Sequence, residues 1–433
     1  MPMSWAARFQ LRQHLRQSLW AVPLVGTAVG AALAGVDLAL DDKITLPDAW
    51  TYSASTAGSL LSAVAAAMIG LIGLVVTIGV LVVQMATGTL SPRFMRLWYR
   101  DRLQKVVLAS FTATFAFSFV LLREVGSGTV PNLGVTLAGL AVIVDLILLL
   151  LYLDRFVHAL RPVAVAAAMA DAGLAIVDEI QHAGTRNQPD TWSPAAGDPV
   201  LQVRSRRTGA IQAIAAPSIV EYARAHELVC VLRYAVGDFV NRGGVLFEVH
   251  GQAPPDAERH LQGLVALGHE RTLEQDPAFA MRIIVDIAIR ALSPAVNDPT
   301  TATQMINHLG ALLAGVGAHD LSGLGMLLDR SGTLRLAVPT RTWDGYLELG
   351  LSEIRQYGAA SPQVARRLRA MLRNLDATVL PVNQESVRRQ IGLLDQAVVR
   401  GSHEGYDTDL GLEEDRQGLG GASLLLGGRH VLY

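Results

Sequence analysis

Lysine is almost missing from this chain of 433 residues, which has Lys43 and Lys105 and no others. Neither ends a glycine-rich loop, so a phosphate-cradling Gly-Lys-Ser/Thr turn is excluded. Cysteine is reduced to Cys230, inside the apolar run Leu228-Val-Cys-Val-Leu232. One cysteine cannot form an intrachain disulfide, and this setting reads as a buried strand residue, not a nucleophile. His-Glu-x-x-His is absent, as is any Cys/His set with metal-ligand spacing. His226-Glu227, His269-Glu270 and His403-Glu404 are isolated pairs, and Gly418-Leu-Gly-Gly421 has no strand before it. No catalytic residue, metal site or cofactor is therefore assigned, and the chain is read as a non-enzyme. Charge is scarce as well, at 17% of residues, where soluble domains carry about a quarter. A formal net charge of −2 gives no footprint for nucleic acid.

What fills the space is apolar: 51% of residues, with mean hydropathy +0.34. The excess lies before residue 170, in runs at Leu19–Leu40, Leu60–Ala86, Val106–Leu122 and Leu133–Leu153. Each has spanning length, although Pro23 and Asp37 interrupt the first. The 27-residue second run reaches about 40 Å as a helix, longer than a hydrocarbon core of about 30 Å. Arg8, Arg12 and Arg16 precede the first run with no small-residue cleavage site, so it reads as a signal anchor.

Flanking charge orients the spans. The N-terminal arm, the segment 88–105 and the stretch after the fourth span hold ten Arg or Lys; the two intervening loops hold two. The expectation is a bacterial inner-membrane protein with both termini cytoplasmic. The segment Arg93, Arg96, Arg100, Arg102, Lys105 is a basic membrane-surface loop, suited to anionic lipids at about 1 kcal/mol per residue, or to an anion-attracting vestibule.

Within the spans, Ala63, Gly70, Thr77 and Gln84 recur every seven residues and share one helix face. Small residues let helix backbones approach, and Thr and Gln hydrogen-bond across interfaces. The stripe therefore reads either as a packing face or as the lining of a pore built from several subunits. Asp145 sits inside the fourth span, where an ionised carboxylate costs roughly 3 kcal/mol. It must be paired, protonated or turned to a polar cavity, in a structural or an ion-passage role.

The remainder reads as a cytoplasmic α+β part. Residues 163–199 form a helix and a Pro/Gly-rich linker, and 200–252 a small β-rich module. Strands are expected at Val200–Arg204, Ala210–Ile214, Leu228–Tyr234 and Val245–Val249, with a Ser218-x-x-Glu221 capping box between them. Residues 253–400 are mainly helical. Asp276-Pro277, Asp298-Pro299 and Ser361-Pro362 mark helix starts, and Leu334–Val338 a strand. Arg282, Asp286 and Arg290 form an i, i+4, i+8 ladder ahead of Asn297-Asp298. These five residues are either ion pairs and a cap, or a ligand or subunit-contact site. Residues 401–433, acidic and glycine-rich, read as a disordered tail.

Three segments together resemble an uncharacterised family of predicted bacterial four-span membrane proteins. They are Ser91-Pro-Arg-Phe with Arg100-Asp-Arg-Leu-Gln104; Gly237-Asp-Phe-Val240; and Gln275-Asp-Pro277 leading to Asp286-Ile-Ala-Ile-Arg-Ala-Leu-Ser-Pro-Ala-Val-Asn-Asp-Pro-Thr-Thr-Ala302. The resemblance covers residues 8–400 and implies four spans and a soluble cytoplasmic part; it implies no reaction. The chain departs from the family pattern after the fourth span, where Leu153-Asp-Arg-Phe-Val-His158 lacks a histidine pair. Gly237-Asp-Phe-Val with Val245-Leu-Phe-Glu-Val249 is also similar to the turn-strand pattern of biotinyl/lipoyl-type modules, without a lysine to carry a cofactor. Two functional expectations follow. One is a homo-oligomeric channel or transporter-like protein gated or assembled by its cytoplasmic domain. The other is a membrane-anchored scaffold or sensor whose cytoplasmic domain binds a partner.

Overall fold

The computed structural model describes residues 3–41, 47, 50–89, 91, 93, 101–125, 130–159, 161–184, 198–321, 325–402, 404–420, 425–426 and 429–430. The chain divides into two compact units: Gln13–Arg161, and Met1–Arg12 together with Pro162–Tyr433.

The first unit is built on four helices long and apolar enough to span a membrane: α2 (Ala21–Asp41), α3 (Ala54–Thr89), α4 (Arg102–Val125) and α5 (Asn132–Ala159). Helices α3, α4 and α5 each contain one of the expected runs and extend past it, whereas α2 starts two residues inside the first run and ends one residue beyond it. Leu61, Met68, Val75 and Val82 recur every seven residues along α3 and are buried. Met68, Val75 and Val82 pack with Val107, Leu108 and Phe111 of α4 and with Leu149 and Tyr152 of α5, and Leu61 packs in a second cluster with Phe117 and Leu121 of α4 and Val135 and Ala138 of α5. The opposite faces are apolar and exposed: Ile69, Val76 and Val80 on α3, Ile143, Ile147 and Leu150 on α5. That is how lipid-facing helices are patterned. The closest approach involves α2. A Cβ on Gly26 would stand 2.3 Å from the Ala109 carbonyl oxygen, and one on Gly30 would stand 2.1 Å from that of Ala113. This Gly-x-x-x-Gly notch, not the α3 stripe, is where two helix backbones touch.

In the second unit, α1 (Trp5–Gln17) begins the chain and α6 (Pro162–Gly184) resumes it. A five-stranded sheet follows in the order β1 (Leu201–Arg204), β5 (Val245–His250), β3 (Val229–Leu232), β8 (Leu334–Ala337), β7 (Met326–Leu328). A three-stranded sheet runs β4 (Phe239–Val240), β2 (Gly209–Ile214), β6 (Val265–Gly268). Val203, Ile211, Leu232, Val249 and Leu336 meet in their common core. The expected boundary at 252 does not divide the unit. β6 and β7 come from the region read as mainly helical, as does β8, the strand expected at Leu334–Val338, and β8 pairs in parallel with β3, Cys230 opposite Leu336.

The helices are α7 (Ala216–Ala225), α8 (Ala257–Gln262), α9 (Pro277–Ala291), α10 (Pro299–Gly317), α11 (Trp343–Gly358), α12 (Pro362–Thr378), α13 (Pro381–Gly401) and α14 (Gly405–Gly411). The aspartate-proline starts behave as expected. Asp276 accepts the Phe279 N–H at 3.1 Å and Asp298 the Thr301 N–H at 2.9 Å. The capping box does not form: α7 starts three residues earlier, after Ala215, with no side-chain cap. Helix α12 begins after Ser361, again without a side-chain cap.

Two segments differ from the sequence reading. The N-terminal arm belongs to the second unit: Trp5 packs on the sheet core, and the Ala6 N–H reaches the Gly263 carbonyl at 2.9 Å. Residues 404–420, expected to be disordered, fold against α12. Asp415 accepts the N–H groups of Gly418 at 2.8 Å and Gly420 at 2.7 Å, and Gln363 donates to the Gly418 carbonyl at 2.7 Å. Three backbone-to-carboxylate bonds, counting Gln417 at 3.0 Å, order a segment that composition alone marks as loose.

Candidate functional site

The second unit contains a cavity of about 580 Å³, within the range of small-molecule sites. Its walls come from segments far apart in sequence: Ile176 and Ile180 of α6, the turn before β4, residues 271–278, and the stretch from Val338 to Tyr346. The apolar surface is supplied by Ile176, Ile180, Val236, Leu327 and Val338.

The polar part is organised around Asp276. This carboxylate is 4% exposed, and three groups hold it. Its Oδ2 takes the Arg271 Nε–H at 2.9 Å and lies 2.8 Å from Nη2, while Oδ1 caps α9. Burial pushes its pKa above the ordinary value, and the Arg271 guanidinium, the Phe279 N–H and Arg341 pull the other way. Gly237, at φ 95°, makes the arrangement possible. A Cβ there would stand 2.3 Å from Arg271 Nη2 and 2.5 Å from Asp276 Oδ2. The neighbouring Gln275 behaves like a strand edge: its Oε1 accepts the Ile214 N–H at 2.9 Å, and its Nε2 donates to the Ile214 carbonyl at 3.1 Å. Tyr346 lines the cavity at 8% exposure. Burial, aided by the Asp276 charge, pushes its phenol up to about 12, so it stays a neutral donor.

A family model described as "Predicted membrane protein (DUF2254)" matches residues 16–374. The chain belongs to this family. It is 31% identical over 412 residues to an uncharacterised protein of Mycobacterium tuberculosis strain CDC 1551, covering 91% of this chain and 78% of that one. An uncharacterised protein of Mycobacterium bovis matches with the same identity and coverage. No solved structure matches. Two of the segments that carry the family resemblance meet at the cavity: Asp238 of Gly237-Asp-Phe-Val240, and Gln275-Asp-Pro277, both line it. The sequence shows these as a turn and a helix cap; their partner Arg271 carries no signal of its own.

The other sequence-predicted residues lie elsewhere. Arg282 bonds Asp286 at 2.6 Å and Glu353 of α11 at 2.6 Å, and so ties two helices together. Arg290, on the same helix, is also engaged. Both oxygens of Asp298 are used at the start of α10, by the Thr301 N–H and by its hydroxyl at 2.5 Å. Asn297 is exposed in the left-handed region, φ 47°.

In the membrane unit, Ala63, Gly70, Thr77 and Gln84 all lie on the exposed side of α3. No described atom lies within 4 Å of where a Gly70 Cβ would be, and Thr77 bonds its own helix at Gly73, 2.8 Å. Asp145 is fully buried and accepts the Ser110 hydroxyl of α4 at 2.5 Å. Asp37 of α2, read only as an interruption, is a second buried carboxyl, packed where Gly134 leaves room. Of the basic loop, Arg96 and Arg100 lie outside the described residues. Arg93 and Arg102 are exposed, whereas Lys105 is buried and donates to the Arg16 carbonyl, so it is not a surface cation.

Proposed function

We propose that this integral membrane protein is a membrane-anchored receptor, whose second unit binds a small molecule in the cavity around Asp276. The observation that supports this is the investment in that cavity. An ion pair, a helix cap and a positive-φ glycine from two separated segments hold its wall rigid, while its interior stays open. Asp276 and Arg271 satisfy each other, an arrangement for shape and polarity, so the protein is read as a binder and not an enzyme. The setting is a bacterial inner membrane with the second unit cytoplasmic. The N-terminal arm and residues after 161 share one unit, which favours an even number of crossings between them. The arginine-rich flanks favour the cytoplasm and contact with anionic lipids.

The test is saturation-transfer NMR on the full chain in nanodiscs, with a fragment set of neutral, anionic and cationic members. Ala216→Trp fills the cavity from a half-buried wall position. At least one fragment should bind the wild type and lose its signal in the variant. Identical fragment profiles would remove the basis of the reading.

A homo-oligomeric channel is the second reading, favoured by one observation. Ala63, Gly70 and Thr77 of the stripe lie on the exposed side of α3, outside the packing of the described spans, on a face open to another copy. Mass photometry in nanodiscs with bilayer conductance tests it; a monomer that passes no current contradicts it.

A further inference from the structure

The cavity has features that select among ligands, and the inference drawn from them rests on the receptor reading above. Three helices of ten or more residues begin at its wall: α7 at Ala216-Pro217, α9 at Pro277-Ala278, and α11 at Thr342 to Tyr346. Helix starts concentrate unpaired N–H groups and positive potential. Asp276 neutralises the α9 start, and the Thr342 hydroxyl takes the Gly345 N–H at the α11 start, leaving the other N–H groups of that turn; the α7 start has no side-chain cap. Arg341 adds a full positive charge. Among the described residues it forms no ion pair or hydrogen bond, although its field acts on both Asp276 and Tyr346. The second independent observation is Tyr346. More than nine-tenths buried and lining the cavity, its hydroxyl has no hydrogen-bond partner among the described residues.

The lining holds four carboxylates against two guanidiniums, so the positive character is local to Arg341 and the helix starts. Asp276 is held by Arg271, Asp238 accepts the Ala235 N–H at 2.8 Å, and Glu274 is engaged. Glu179 remains, on the exposed side of α6. Gln275, Thr340 and Thr342 add neutral polar groups, and the remaining side chains of the wall are mainly aliphatic.

We propose that the cavity holds a small amphiphile with an apolar body and one anionic oxyacid head, a carboxylate or a phosphate ester, the head taken by Arg341, the Tyr346 hydroxyl and the starts of α7 and α11. The phenol donates to the anion; the guanidinium supplies the charge; the aliphatic wall excludes water from the body of the ligand.

The experiment is isothermal titration of the full chain in phosphatidylcholine nanodiscs, with empty discs subtracted. The probes are hexanoate, hexyl phosphate, 1-hexanol and hexylammonium. Hexanoate and hexyl phosphate should bind saturably, the tighter of the two naming the head group, and 1-hexanol about tenfold more weakly. Arg341→Ala should weaken both anions about tenfold, the loss of one charge-assisted bond. Tyr346→Phe should weaken them several-fold and leave 1-hexanol unchanged. Binding of 1-hexanol equal to hexanoate, or a preference for hexylammonium, overturns the anionic-head assignment and leaves the receptor reading standing. Anion binding untouched by Arg341→Ala, Tyr346→Phe and Ala216→Trp overturns the location. No saturable binding by any probe overturns the inference as a whole, and the receptor reading then stands or falls on its fragment profile.

Discussion

Gly237→Ala tests whether the cavity wall is built as described. Two costs separate at this position. The first is backbone: φ is 95°, and holding an L-residue in such a region costs about 1–3 kcal/mol. The second is steric: the new methyl would lie 2.3 Å from Arg271 Nη2 and 2.5 Å from Asp276 Oδ2. The ion pair must move, and Asp276 is buried. Breaking a buried pair costs about 3–5 kcal/mol. Arg271 is 37% exposed, so solvent screening reduces this, and about 2 kcal/mol is the reasonable figure. Gly243→Ala isolates the first cost, because φ there is 87° and no described atom lies within 4 Å of a new Cβ. Calorimetry of the full chain should show Gly237→Ala melting at least ~4 °C below Gly243→Ala, at about 2 °C per kcal/mol for a unit of this size. On an Arg271→Ala background the excess should shrink, since the clash partner is gone. Equal melting temperatures for the two glycine variants would refute the contact between the turn and the ion pair.

Other consequences are simpler to check. Burial pushes the Cys230 thiol up to about 12, so iodoacetamide at pH 8 should label it only after unfolding, and rapid native labelling would contradict its strand position. The Ser331 hydroxyl and the Arg335 guanidinium hold the Asp329 carboxyl well below its usual range. Its folded pKa is depressed, so its contribution is present at neutral pH and lost as pH falls below the usual carboxylate range near 4. The melting difference between wild type and Asp329→Asn should therefore hold from pH 7 to about pH 4 and narrow only as pH falls further, toward the depressed folded value; a difference that closes above pH 4, or fails to narrow below it, would contradict it. Gly30→Val should separate α2 from α4 and expose the membrane unit to protease in detergent, while Gly70→Val, on the open side of α3, should not.

The sequence is most legible where one physical rule acts locally. Apolar runs revealed the spans, and aspartate-proline pairs revealed the starts of α9 and α10, because a cap needs only adjacent residues. Legibility fails where structure depends on distant partners. Strands β6 and β7 are three or four residues long, too short to show alternation. Helix α11 starts at Thr342, which accepts the Gly345 N–H at 3.2 Å, without the proline that marks its neighbours. The tail to 420 is ordered by Asp415 acting on glycine N–H groups, which composition reads as flexibility. The cavity was invisible for the same reason. Its motif residues were noticed as a turn and a cap, but nothing in the chain says that Arg271, Gly237 and Tyr346 face one space.

Hydrogen exchange on the full chain in nanodiscs, with and without saturating hexanoate, tests the central claim most directly. Three segments should gain protection together: 215–220, 271–279 and 341–347, which line one cavity though they are far apart in the chain. Protection confined to other segments, or none in these three at saturation, would contradict the assignment of this cavity as the ligand site.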